Sequence, residues 1–250
     1  MNVLVFIALF FPVILSGLSV FLFKTSEKTL KLILAFGGAF LLSLCFIELL
    51  PEIYSSSETS QIGLFVLLGF FIQLLLDFLT KGVEHGHHSD HEKLNEPCRN
   101  KHQHEGFWGI MIGVCIHSFL EGMPLVDNFA VDTLKNTLLS GIVIHNIPIS
   151  IVLVGILSKT GLKKRWIILL LTIFALSAPL GTISSYFIGS GIQENATEYF
   201  NIILAIVVGI FLHISTTILF ETDEQHHFNF YKFIAVLIGF GSAISLFFVL

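Results

Sequence analysis

The sequence predicts an all-α membrane protein with eight transmembrane helices, and three observations carry that prediction. The 250 residues are 54% hydrophobic and only 12% charged, with a mean hydropathy of +0.86, far more apolar than a soluble domain needs. A helix that crosses a bilayer needs about 20 mostly apolar residues, and the chain offers eight such runs, leaving little for a separate soluble domain. Finally, twelve of the thirteen Lys and Arg residues fall on alternate connections between those runs. Basic residues near helix ends stay cytoplasmic, which places both termini outside the cytoplasm and requires an even number of crossings.

The first run, 2–23, has no basic start and no small-residue cleavage site and is longer than a signal-peptide core, so it reads as a retained helix. Lys24, Lys28 and Lys31 separate it from the second run, 30–50; the third is 61–80. The connection at 81–106 holds six of the eleven histidines, His85, His87, His88, His91, His102 and His104, together with Lys81, Lys93, Arg99 and Lys101. Neutral imidazoles ligate zinc and similar borderline metals, and such a tract can bind them without a fold. The remaining runs are 107–126, 134–157, 166–189, 199–220 and 231–250, with Lys159, Lys163, Lys164 and Arg165 after the fifth and Lys232 after the seventh; Lys135 alone lies on the opposite face. A second short histidine pair, His226 and His227, lies on the same predicted face as the long loop. Cys45, Cys98 and Cys115 have no paired spacing, so neither a disulfide framework nor a thiolate zinc site is encoded.

Ionisable side chains at membrane depth are costly and mark function. His117 lies 10 residues into the fourth run and His145 lies 11 into the fifth, which at about 1.5 Å per residue puts both near the bilayer midplane. His117 and Glu121, four apart, share one helix face. Pro124 and Pro148 lack an amide hydrogen and are expected to kink their helices, loosening the carbonyls of Leu120 and Ile144, while Gly122 permits close helix approach. The combination predicts a small polar pocket at mid-membrane, open to nitrogen and oxygen ligation. His213 is the fourth deep ionisable residue; Glu48, Glu52 and Asp77 lie near helix ends, where snorkelling competes with a vestibule role. No G-x-x-x-x-G-K-[ST] motif is present, so ATP-driven coupling is not encoded.

The motifs resemble those of the Zrt/Irt-like (ZIP) family of divalent metal transporters along the whole chain. LAFGGAFLLSLCFIELLPE at 34–52 is similar to the family's second helix, GFFIQLLLDFL with HGHHSDH to its third helix and loop, and HSFLEG at 117–122 to its fourth-helix signature. LSAPLG at 176–181 and GIFLHISTTILFE at 209–221 resemble its sixth and seventh. The resemblance implies a metal site between the fourth and fifth helices with His117, Glu121 and His145 as primary ligands and Ser118 and Asn146 as secondary ones. Where members commonly show His-Glu-x-Pro-His-Glu, this chain has HNIPIS at 145–150. Asn146, Ile149 and Ser150 replace ligands of a second ion, so one ion is expected.

The function expected is transport of divalent cations, zinc first and Fe2+, Mn2+ or Cd2+ as further substrates, into the cytoplasm across the plasma membrane, with no catalytic cofactor. Glu48 and Glu52 would collect cations, His213 and Asp77 would assist release, and the loop histidines would buffer or sense the metal. The partners expected are the metal ions and the lipid bilayer, a homodimer is compatible, and no nucleic acid is involved. An echo of the second helix in the seventh suggests an inverted repeat around helices four and five, and rocking of one helix group against another. Two alternatives stand beside this reading: an intramembrane zinc hydrolase holding its metal with His117, His145 and His213, and a non-transporting metal sensor.

Overall fold

The computed structural model describes residues 3–23, 26–56, 61–80, 99–126, 132–191, 196–220 and 230–249. His85, His87, His88, His91, His226, His227, Cys98 and the side chains of His102 and His104 lie outside the described set. Eight helices account for the described chain, in the predicted order. They are α1 (Val3–Ser19), α2 (Glu27–Leu44, continued through Cys45–Leu49 and Leu50–Ser56), α3 (Ile62–Thr80), α4 (Arg99–Gly122), α5 (Asp132–Lys159), α6 (Lys164–Gly191), α7 (Ala196–Phe220) and α8 (Phe230–Val249). Six of them are long and apolar enough to cross a membrane; α1 and the apolar part of α4, Trp108–Gly122, are shorter.

Two boundaries differ from expectation. Helix α4 begins at Arg99, so its backbone carries 24 residues and takes His102 and His104 onto a helix rather than a loop. It also stops at Gly122, and Pro124 lies in the turn beyond it instead of kinking it. The Leu120 carbonyl accepts from Met123 N at 3.2 Å, a tighter 3₁₀-type closure, and the Gly122 carbonyl accepts from the Thr182 hydroxyl of α6 at 2.7 Å. Pro124 thus lies just past the helix end, where the Gly122 carbonyl accepts from Leu125 N at 3.2 Å as well as from the Thr182 hydroxyl. Pro148 sits inside α5, which runs through it.

A third feature is absent from the sequence reading. Residues Cys45–Leu49 form a π-turn within α2, closed by Leu50 N donating to the carbonyl of Cys45. Pro51 explains it: a proline cannot bond to the carbonyl four residues back and its ring clashes there, so the helix slips to a five-residue spacing just before it. Such turns are rare and cluster at functional sites.

The helices divide into two groups of four. In one, α4 packs on α6, α1 on α5 and α1 on α6; in the other, α3 packs on α7, α2 on α8 and α2 on α7. Contacts between α2 and α5 and between α3 and α4 join the groups. Helix α7 is mostly buried among its neighbours, whereas α8 is mostly exposed at the edge of the bundle. The apolar cores follow the division unevenly. At the end nearer the α4–α5 connection, Leu125, Leu134, Leu138, Ile142 and Ala178 of the first group join one core with Leu41, Leu49, Leu204 and Phe211 of the second. At the other end, Met111, Val114, Leu153, Leu157, Ile167 and Phe174 form a core of the first group alone. Cys45 lies in the shared core and Cys115 packs against the second.

Helices α4 and α6 approach unusually closely. A methyl group on Gly122 would lie 2.0 Å from the Ala178 carbonyl oxygen, and one on Gly181 would lie 1.9 Å from that of Phe119. Only hydrogen fits at either position, a reciprocal small-residue crossing of the kind that holds helices together in lipid. Glu121 sits between the two contacts, so this crossing fixes its height and direction.

Candidate metal centre

The i, i+4 spacing on α4 turns His117 and Glu121 to one face, and both are 0% exposed. Nε2 of His117 stands 2.9 Å from Oε1 of Glu121. From α5, His145, 2% exposed, meets His117 at a ring-centroid distance of 5.7 Å and an interplanar angle of 82°. One donor atom from each of the three residues lies within 4.8 Å of the others. A tetrahedral zinc site with bonds of about 2.0–2.1 Å needs donors about 3.3 Å apart, so closing this set around an ion takes side-chain shifts of about 1 Å. Helices α4 and α5 share few backbone contacts; at this level they meet through the His117 and His145 rings.

The electrostatics call for a cation or a proton. Both carboxylate oxygens of Glu121 are buried and accept no hydrogen bond among the described residues, and the same holds for the amide oxygen of Asn146. An ionised carboxylate withdrawn from water costs several kcal/mol unless its charge is met. A proton shared with Nε2 of His117 answers that cost, and so does a metal ion held by both. Ser118 and Asn146, each 2% exposed, are buried beside the two histidines in the chain.

Nitrogen and carboxylate donors converging at mid-helix in an all-helical, lipid-facing bundle are the chemistry of a protein that handles a borderline divalent metal. The sequence profile of the family described as ZIP zinc transporter matches residues 1–107 and 85–246. The chain belongs to the ZIP zinc transporter family. It is therefore an integral, multi-pass membrane protein of a metal-transporting family, and divalent metal enters its chemistry as substrate rather than as a catalytic cofactor. For a ZIP zinc transporter, the buried His117, Glu121 and His145 cluster is compatible with a cargo site.

The surroundings of HNIPIS show what occupies the space next to that cluster. Ile149, 5% exposed, packs into the apolar core with Val13, Met111 and Val114. Ser150 is fully buried and lies 2.6 Å, oxygen to oxygen, from Ser16 of α1, with its hydroxyl also 2.8 Å from the Ile147 carbonyl. One position is filled with hydrocarbon and the other is used to tie α5 to α1.

The remaining predicted residues are dispersed. His213, 4% exposed, stands edge-on to Phe70 at 4.9 Å and is not among the three clustered residues. Asp77 is half-buried near the end of α3, one turn beyond Gln73. Glu48, in the π-turn, is half-buried; the Thr137 hydroxyl of α5 donates to its carboxylate, and Glu52 lies close enough to repel it. The residue that sequence reasoning missed is Gln73 of α3. It is 0% exposed, and the Nδ1–H of His117 donates to its amide oxygen at 3.1 Å. Its signal was a lone amide in the apolar run FFIQLLLDFL.

Proposed function

We propose that the chain carries Zn2+, with Fe2+, Mn2+ and Cd2+ as further substrates, into the cytoplasm of the cell through one midplane site formed by His117, Glu121 and His145. The observation that carries this reading is the convergence of three buried donor atoms within 4.8 Å. One carboxylate and two neutral imidazoles leave a dication only partly neutralised. Orientation follows from the basic connections, which keep the α4–α5 connection and both termini outside.

The packing supports a rocking path. Exchanging α1 with α6, α2 with α7, α3 with α8 and α4 with α5 maps the pairs α3–α7 and α4–α6 onto α8–α2 and α5–α1, all of which are packed; that correspondence supports an inverted repeat around α4 and α5. The shared core at the α4–α5 end and the separate core at the other end correspond to a molecule closed outside and divided inside. Glu48 and Glu52 collect ions at the outer end of α2, Asp77 and His213 take them toward the cytoplasm, and His85, His87, His88, His91, His102 and His104 buffer what is delivered. The hydrolase alternative needs His213 on the same metal, whereas its ring packs against Phe70.

Full-length chain in liposomes loaded with a zinc-sensitive dye tests the proposal. Saturable zinc uptake that is lost with His117→Ala is expected; equal uptake by wild type, variant and empty liposomes would remove transport through this site as an account. In the same assay Glu48→Gln is expected to raise the zinc concentration for half-maximal uptake about fivefold, the ~1 kcal/mol of one partly exposed charge, with the maximal rate retained. A change in maximal rate alone would place Glu48 outside the access path.

A further inference from the structure

We propose that Gln73 is a positioning residue for the metal: its amide oxygen fixes the tautomer and ring plane of His117, and it does so from the opposite helix group. This rests on the reading of His117 as a metal ligand and goes beyond it. With Nδ1–H donating to Oε1 of Gln73, the neutral ring presents the lone pair of Nε2, the atom 2.9 Å from Oε1 of Glu121. A ligating histidine whose second nitrogen donates to an oxygen acceptor is held in orientation and made more basic at the ligating atom. Gln73 is the group that supplies this acceptor.

The choice of an amide matters. A carboxylate would pull harder on the Nδ1 proton, strengthening His117 as a ligand and adding a second negative charge to a site that must also let its ion go. A hydrocarbon would leave the ring free to turn and Nδ1 buried without this acceptor. The neutral amide orients the ring without adding charge.

Position adds a second consequence. His117 belongs to the group α1, α4, α5 and α6, and Gln73 to the group α2, α3, α7 and α8. The bond therefore spans the boundary across which the groups move. When α4 shifts against α3, His117 loses or regains its acceptor, so ligand strength changes with the conformation of the carrier.

Zinc uptake by liposomes containing wild type, Gln73→Leu, Gln73→Glu or His117→Ala is the test, with amounts of folded protein equalised by gel filtration and melting. Gln73→Leu is expected to raise KM for zinc at least about tenfold, in the range for lost orienting partners, with less change in the maximal rate. Gln73→Glu keeps an acceptor and is expected to lower KM and to slow the maximal rate severalfold by holding the ion. An unchanged KM in Gln73→Leu, or the same defect in Leu and Glu variants, would overturn the proposal while leaving the site intact. Full activity in His117→Ala would instead remove the site itself. Should Gln73→Leu fail to fold, zinc titration of detergent-solubilised wild type and Gln73→Glu decides, tighter binding by the Glu variant being expected and equal or weaker binding overturning the role.

Discussion

Glu121→Ala is expected to reduce zinc uptake at least ~100-fold, since even groups that only orient a metal ligand cost 10–100-fold when removed. Glu121 is the one formal negative charge in the cluster, is fully buried and has two oxygens that accept no hydrogen bond among the described residues. The same facts set the direction of a stability effect. A carboxylate buried against an imidazole that is neutral, with no cation to meet its charge, weighs against folding, so Glu121→Gln in the presence of a chelator is expected to melt at or above the wild-type temperature. Zinc should then raise the melting temperature of wild type, as any ligand of the folded state does, and leave that of Glu121→Gln unchanged. Retained zinc stabilisation in Glu121→Gln would mean that the metal is held elsewhere.

Gly181→Ala is expected to cost about 1–3 kcal/mol in stability, the range for overpacked sites, and to reduce uptake at least tenfold. The added methyl would lie 1.9 Å from the Phe119 carbonyl oxygen, so α4 and α6 must part by about 1.5 Å to restore van der Waals contact. That displacement falls two residues from Glu121, whereas metal sites tolerate bond-length changes of about 0.2 Å. Gly155→Ala is the matched control: a methyl there meets nothing within 4 Å, and alanine in a helix is favoured over glycine by about 0.5–1 kcal/mol. Melting and uptake measured on both variants separate a packing defect from a general intolerance of substitution. Wild-type behaviour of Gly181→Ala would show that the α4–α6 crossing does not position the site.

Much of this arrangement is legible in the residues because lipid makes the code simple. Unbroken apolar runs must be helices, and an ionisable residue inside one must find company; His117, Glu121 and His145 follow from depth and helical phase alone. Most of what escaped prediction depends on partners distant in the chain; the π-turn is the local exception. The π-turn before Pro51 is a local readjustment of hydrogen bonding with no composition of its own. Pro124 could kink or end a helix equally well, and one of the groups that bond the helix end, the Thr182 hydroxyl, is 60 residues away in the chain. Gln73 is one amide among leucines and phenylalanines, and only the packing of α3 on α4 brings it to His117. His213 is buried, yet its neighbour is the Phe70 ring and not the His117, Glu121 and His145 cluster.

The most direct test of the central claim is a zinc-soaked crystal structure with anomalous scattering measured at the zinc edge. The account predicts one ion between α4 and α5, about 2.0–2.2 Å from Nε2 of His117, a nitrogen of His145 and a carboxylate oxygen of Glu121. Zinc bound away from these three residues, or a second ion beside Asn146 and Ser150, would contradict it.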